Sequence, residues 1–366
     1  MKVAVTTNDP RGRDLFAAVG GQADIVADVE FDDVDPFTRY AAGVLSYRPD
    51  RSEWWTMYQM HPLVQRRRSR VLRDRLCEAA SLIDGLIVHG SWFHPRLERL
   101  RDGLPFVNYI DQSLALEPVL GETRPRYVNR RTAHRLQSET YAASAGVLTY
   151  SRWGREQTLL AHPTLTPDKV QAVGWGPCGI DLSDEDLAET DREPVVLHVS
   201  NDFHRKGLDF LVETAEVVRR SMPEVRFLVI GEDYGGMKDV PRSEAVTYLG
   251  RIHDRQELER HFRRASVFFL PHRFDRSPHV LVEAMSASLP IVTSAQGGPH
   301  ELTDGTGAGV AVAVGDVQGY VDGIMRFLGD PEEARAAGRA GRRLMRERYS
   351  WPAVAGRVLE ALSVAS

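Results

Sequence analysis

Short apolar runs alternate with longer amphipathic stretches along the whole chain. In the first half, residues 2–6, 24–29, 85–88, 106–110, 146–150 and 169–173 are rich in β-branched and aromatic side chains and end in turn residues, the pattern of buried strands. The second half repeats it at 195–199, 226–230, 246–249, 267–270, 291–293 and 310–314. Helical spacing fills the gaps. Val71, Leu72, Leu76, Ala79 and Ala80 share one face, and residues 127–141, 208–218, 257–264, 280–287, 332–349 and 353–362 also read as helices. Residues 32–49 read as acidic and turn-rich, 183–192 as an acidic linker, and Ser350, Trp351 and Pro352 as a break between the last two helices.

Strand–helix alternation of this kind predicts parallel sheets covered by helices on both faces. In such sheets ligands bind beyond the carboxyl ends of the strands. At 366 residues the chain has room for two domains. A formal net charge of −5 argues against a dedicated nucleic-acid binder. Two cysteines, Cys77 and Cys178, make no disulfide framework and no CxxC zinc motif. They fit a reducing, cytoplasmic compartment. The amino terminus reads as a strand rather than a signal peptide, and no apolar run reaches the length that crosses a bilayer.

The most informative stretch is 267–301, which reads strand, loop, helix, strand, loop. It carries two acids, Asp275 in the first loop and Glu283 eight residues later inside an apolar helix. Acids are rarely buried without a partner, so Glu283 must reach solvent or hold one. A ribose diol is a suitable partner, because one carboxylate accepts from both hydroxyls. Helix starts at the loop ends offer backbone N–H groups to phosphate. A solvated helix face is the plain alternative for the acid pair.

The phrase SPHVLVEAM, followed by LPIV and GGPHEL, with an acid eight residues before the Glu of the EAM triplet, resembles the donor-site motif of retaining glycosyltransferases of family 4. The likeness is strong from about Pro194 onward and thinner before it. It implies a GT-B fold: two Rossmann-like, doubly wound parallel-sheet domains facing across a cleft, with a C-terminal helix crossing back to the first. The boundaries expected are 1–184 for the acceptor-side domain, 185–349 for the nucleotide-sugar domain and 350–366 for the returning helix. The activity implied is transfer of a sugar from a nucleotide-diphosphate sugar to an acceptor hydroxyl, with no metal and no cofactor beyond that donor.

The resemblance also implies site residues. Lys206 matches the lysine that reaches the donor pyrophosphate. Asn201 stands where the family has Arg, and Arg205 is the neighbour able to compensate. Gly231 and Ile252 end two strands on the donor side, Ile252 lying in the backbone just after Gly250 that is expected to border the nucleobase. Asp275, one methylene shorter than the usual Glu, and the loop Ser277, Pro278, His279 and Val280 are expected on the sugar. Glu283 is expected on the ribose. Cys178 replaces Asn in a Pro-Asn-Gly-Val-Asp crossover turn, and Ser288 replaces a usual Gly. In the first domain, Asp111 ends a strand where a catalytic residue stands in many members, and as a lone acid it reads equally as a helix N-cap. Asp275, Lys206 and Asp111 are the catalytic candidates.

Between Arg66 and Arg75 lie six arginines and one acid, Asp74. That face suits a phosphorylated or membrane-bound acceptor and a peripheral contact with the inner face of the membrane, or else a solvated helix whose aromatic neighbours lie in the core. The acceptor class stays open among small molecules, glycans and lipid-linked sugars. Other readings are another GT-B nucleotide-sugar enzyme, such as a 2-epimerase or a phosphorylase, and an inactive nucleotide-sugar-binding protein.

Overall fold

The computed structural model describes residues 1–7, 12–29, 34–47, 54, 57–59, 61–79, 81–90, 104–113, 130–188, 192–232 and 240–364. The chain forms two compact units, Met1–Gly174 together with Val354–Ser366, and Trp175–Ala353. Each is built on a six-stranded sheet in which every pairing is parallel.

In the first unit the strands are β1 (Lys2–Thr7), β2 (Asp24–Asp28), β3 (Gly85–His89), β4 (Phe106–Ile110), β5 (Gly146–Thr149) and β6 (Val170–Ala172). They lie in the order β2-β1-β3-β4-β5-β6, so the winding reverses between β1 and β3. The helices are α1 (Gly12–Gly20), α2 (Pro36–Leu45), α3 (Pro62–Ala79), α4 (Arg130–Ala143) and α5 (Arg152–Ala161). Central strands β3 and β4 are buried at every residue, as expected for strands covered on both faces. Leu72 and Leu76 of α3 pack with Ala4, Leu86 and Val88, the face their spacing predicts. The last helix, α12 (Trp351–Ser363), returns to this unit. A side chain at Gly85 would overlap Leu362, with a Cβ contact of 2.8 Å, and Arg357 Nε donates to Val173 O at 2.8 Å.

The second unit holds β7 (Val195–Val199), β8 (Arg226–Ile230), β9 (Val246–Gly250), β10 (Val267–Leu270), β11 (Ile291–Ser294) and β12 (Gly309–Val312). Its order, β12-β11-β10-β7-β8-β9, is the doubly wound one. The reversal between β7 and β10 opens a crevice at their carboxyl ends. The helices are α6 (Asp184–Ala188), α7 (Leu208–Ser221), α8 (Arg255–Arg264), α9 (His279–Ser286), α10 (Val317–Gly329) and α11 (Pro331–Leu344), followed by a π-turn at Met345–Tyr349. Phe269, Phe227, Leu211, Tyr320 and Ile324 sit at the centre of the core beneath α7 and α10.

Three expectations change. Residues 32–49 are not all turn: α2 forms there, with Asp35 accepting from Thr38 N at 2.9 Å as its N-cap and Pro36 in its first turn, where a missing N–H costs nothing. The linker at 183–192 contains α6, closed by a reciprocal Ser183–Asp186 capping box of the kind that satisfies two orphan N–H groups. Pro352 does not break a helix; it lies in the first turn of α12, and Ser350, in extended conformation, makes the break alone. Ala80, residues 127–129 and Trp55 lie outside the described residues.

Candidate active site

The loops after β7 and β10 meet at the switch point of the second sheet. Gly207 has φ +73°, and a Cβ there would fall 1.9 Å from Pro271 O. Only glycine allows that approach, and it brings the loop of Lys206 against that of Asp275. Arg273 N donates to Arg205 O at 2.8 Å between the same two loops. From the other side Gly297, φ +72°, would place a Cβ 1.9 Å from Asp275 O.

These approaches set a buried ion pair. Lys206 Nζ donates to Asp275 Oδ2, with 7% and 6% of the two residues exposed. Arg205 joins it, with Nη1 3.3 Å from the same oxygen and Nε 2.8 Å from Asp202 Oδ2. Arg205 therefore points the same way as its neighbour. Burial opposes the Asp275 charge, but Lys206 and Arg205 outweigh it and hold the carboxyl well below its usual range. Burial also lowers the Lys206 ammonium, against the pull of Asp275.

Two histidines that the sequence reading passed over line this pair. His198, buried inside β7, donates from Nδ1 to Phe269 O at 2.9 Å and meets Ser200 Oγ at Nε2, 2.8 Å away. A carbonyl can only accept, so Nε2 is left to accept from the hydroxyl. Burial, helped by Lys206, pushes this imidazole down to about 4. His272, fully buried at the end of β10, has neither ring nitrogen in hydrogen-bonding geometry with a partner. Burial pushes it down to about 3, with Asp275 opposing and Lys206 and Arg205 assisting. Both rings are neutral beside the ion pair. A lone His in an apolar strand carries no pattern to separate it from core.

Glu283 is placed one turn into α9, against the segment that opens the second unit. Its Oε1 accepts from Cys178 N at 3.1 Å and Ile180 N at 3.5 Å. Gly179 lies between, close enough that a Cβ would stand 3.3 Å from that oxygen. The partner that a half-buried Glu requires is thus a turn of backbone. Burial raises the carboxyl to about 7, against those two N–H groups. The turn is pinned in its own right. Trp351 Nε1 donates to Pro177 O at 2.7 Å, and His279 Nδ1 lies 2.7 Å from Gly176 O and 3.1 Å from Cys178 Sγ. Since Gly176 O only accepts, Nδ1 carries the proton and the sulfur shares it. Further along, Arg342 donates to Leu182 O at 2.7 Å and to Ser286 O, so residues 178–182 run as a strap along α9.

The other expected donor residues of this unit follow the carboxyl ends of β7, β8, β9 and β10. Ser277 and Pro278 are buried ahead of α9, and the Ser277 hydroxyl has no protein partner. His279 and Val280 are half-buried. Gly231 ends β8 with φ +125°, where a Cβ would strike Ser200 O at 1.8 Å. Asn201 is exposed after β7, and Ile252 is half-buried after β9. Asp111 belongs to the first unit. It follows β4, half-buried, with a buried Oδ1 that accepts no hydrogen bond.

The chain contains two Asp-x-Asp triplets, the arrangement that holds a divalent ion in some sugar transferases. Asp33 lies outside the described residues, and the other three carboxylates are engaged elsewhere. Asp35 caps α2 and faces Arg67 at 3.5 Å, while Asp184 pairs with Arg342 and Arg346 and Asp186 with Ser183. No group of three or more His, Cys, Asp or Glu among the described residues is placed to hold a metal. Both cysteines are free thiols. No described helix is long and apolar enough to cross a membrane.

Residues 180–344 match the family of glycosyl transferases group 1. The chain is 29% identical over 249 residues to the alpha-maltose-1-phosphate synthase of Mycolicibacterium smegmatis, covering 60% of this chain and 62% of the relative. It is 29% identical over 187 residues to a GDP-mannose-dependent alpha-(1-6)-phosphatidylinositol monomannoside mannosyltransferase of the same organism, covering 46% and 48%. The match to the glycogen synthase of Mycobacterium tuberculosis is 28% over 166 residues, 44% of this chain and 40% of that protein. The chain thus spans between 40% and 62% of the length of these relatives. In fold it is similar over its whole length to sucrose-phosphate synthase from Thermosynechococcus elongatus, with a TM-score of 0.69 and 17% identity, covering 100% of both chains. Anabaena HepE, solved in complex with UDP, gives a TM-score of 0.67 and 15% identity, also covering 100% of both chains.

Proposed function

From a chain that carries a glycosyl transferases group 1 domain on a two-sheet α/β fold, we propose a retaining glycosyltransferase that moves a sugar from a nucleotide-diphosphate sugar to an acceptor hydroxyl. The observation that carries the reading is the buried Lys206–Asp275 pair, with Arg205 beside it, at the switch point of a doubly wound sheet and eight residues before Glu283.

In this reading each group has one task. Lys206 and Arg205 meet the charge that grows on the leaving diphosphate, aided by the exposed amide of Asn201, and such preplaced charge is the largest common contribution to catalysis. The free oxygen of Glu283 accepts from the ribose. Asp275 and the loop from Ser277 to Val280 take the sugar hydroxyls. Gly231 and Ile252 border the nucleotide. The bond from the anomeric carbon to the diphosphate oxygen breaks as the acceptor oxygen bonds to that carbon from the same face. The departing phosphate takes the acceptor proton. Asp111 orients the acceptor from the first unit. No metal and no further cofactor enter the scheme. The acceptor is a small molecule, a glycan or a lipid-linked sugar. HepE is solved with UDP-glucose, and relatives named for GDP-mannose make a guanosine donor the other to test.

The test is a screen of nucleotide sugars for release of free nucleotide, first without acceptor and then with candidate acceptors. Release from one donor, accelerated by an acceptor and absent in Asp275→Asn, is the expected result. Product formed with no acceptor marks an epimerase, a requirement for inorganic phosphate marks a phosphorylase, and saturable binding without turnover marks an inactive binder.

A further inference from the structure

The first unit has one helix whose polarity is inverted. In α2 only the small residue Ala42 is buried, while Phe37 is 80% exposed, Tyr40 75%, Val44 57% and Leu45 66%, with Tyr47 just beyond at 68%. Positions 37, 40, 44 and 47 repeat at three and four residues, so these large side chains form one continuous outer stripe. Single exposed apolar residues are ordinary, but a contiguous set marks an interaction surface.

The helix is held firmly on its other side. Ala42 packs with Val34, Tyr58 and Val64, and Trp54 Nε1 donates to Gly43 O at 2.9 Å. Small residues thus serve the protein side and large ones face outward, which is not what helix packing alone would select.

Among the described residues the charge beside this stripe is mostly positive. Helix α2 carries Arg39 and no acid. Asp35, at its start, is already engaged by the cap and by Arg67. Alongside, α3 presents Leu63, Arg66 and Arg70 outward on one face, and among the described residues neither arginine makes an ion pair. Asp74, the acid within the arginine run, lies 3.8 Å from Arg73. Aromatic and aliphatic groups flanked by free guanidinium groups match the headgroup and acyl boundary of an anionic bilayer, where the rings sit at the interface and the arginines meet lipid phosphates. A second copy of this chain would bring the same positive charges together.

We propose that the outer stripe of α2, with the arginines of α3 beside it, docks on an anionic lipid surface. The surface stands independently of which sugar the second unit handles. It places the chain on the membrane without a spanning helix, by apolar burial and charge together.

The test is sedimentation of the full chain with vesicles of phosphatidylcholine alone and of phosphatidylcholine mixed with phosphatidylglycerol. The wild type is expected to bind the mixed vesicles, less so as salt rises. Phe37→Ser with Val44→Ser should weaken binding about tenfold or more, through lost apolar burial. Arg66→Gln with Arg70→Gln should cost about fivefold per arginine and reduce the preference for anionic vesicles. Tyr47→Ser, beyond the helix end, gives a milder variant should the double substitution fail to fold. Absence of binding to either vesicle overturns the proposal, as does binding that none of these substitutions alters. So does sedimentation equilibrium that finds a wild-type dimer made monomeric by Phe37→Ser with Val44→Ser.

Discussion

Lys206 and Asp275 lie 69 residues apart in sequence and form one buried ion pair across the switch point of the second sheet. Neither group is cheap to keep charged alone. Lys206→Ala is expected to reduce turnover by about 10²–10³, the loss typical of removing a charge that stabilises the transition state. It should also destabilise by roughly 3 kcal/mol, because a buried carboxylate is left with only the longer Arg205 contact and the Arg276 N–H. The double variant with Asp275→Asn should recover part of that stability, with a coupling of about 1–3 kcal/mol in urea unfolding. Simple additivity of the two losses would show that the pair is not coupled. Because the Asp275 carboxyl is depressed when folded, its contribution is present above the unfolded value near 3.9. It is lost as pH falls below that value toward the folded one.

Glu283 has the opposite sign. Its folded value is raised from 4.5 to about 7, so the folded state binds more protons across that window and stability falls as pH rises through it. Glu283→Gln should therefore match the wild type near pH 4 and exceed it above pH 7, by roughly 1–3 kcal/mol. The same substitution should weaken a nucleoside diphosphate by about 1.5–3 kcal/mol, measured by calorimetry. The 2′-deoxy nucleotide should bind the wild type less well and the variant nearly the same as its parent. Equal wild-type affinity for both nucleotides would leave Glu283 a purely structural acid.

Gly179 offers a finer probe of the same carboxylate. An added methyl would stand 3.3 Å from Glu283 Oε1, close enough to displace the acid by a few tenths of an ångström without disturbing a positive φ. Gly179→Ala should raise KM for the donor several-fold, about 1 kcal/mol of binding, with kcat little changed. Cys178→Ser keeps both backbone N–H contacts and should leave KM near the wild-type value. A Gly179→Ala enzyme with unchanged KM would show that the turn does not set the position of Glu283.

Ser288 is the one non-glycine among the described residues with a positive φ, 53°. It sits where α9 hands over to β11, and its carbonyl is approached so closely by α11 that a Cβ on Gly338 would fall 2.0 Å away. A left-handed side-chain residue costs about 1–2 kcal/mol, partly offset by the extra freedom glycine has when unfolded. Ser288→Gly is expected to raise stability by about 0.5–1 kcal/mol, read as a higher urea midpoint at unchanged slope.

Each expected run has its strand, and the inner strands were the plainest because parallel strands buried on both faces are nearly continuous apolar runs, whereas the outer strands β2, β6, β9 and β12 are partly exposed. Helix α2 was not, because Asp32, Asp33, Asp35, Pro36 and Gly43 crowd the stretch with turn residues; the three- and four-residue spacing of Phe37, Tyr40 and Val44 was the signal available. Lys206, Asp275 and Glu283 were singled out through a resemblance, and the sheet order explains why the first two meet. What holds Glu283 was invisible, since Cys178 and Ile180 lie more than 100 residues away and act through backbone N–H groups that carry no residue identity. His198 and His272 were missed for a related reason: each stands in or at an apolar strand, and what sets it apart is the charge packed against it.

The threading of the chain has a consequence for how the protein is made. The second unit is one unbroken stretch, Trp175–Ala353, whereas the first is completed by Val354–Ser366. On the ribosome, where domains form as they emerge, the strands of the first unit appear early but Gly85 waits for Leu362, and Val173 for Arg357. The later-encoded unit thus has all its parts before the earlier one does. A nascent chain stalled before Val354 would hold a finished second unit while the sheet of the first still lacked its last helix.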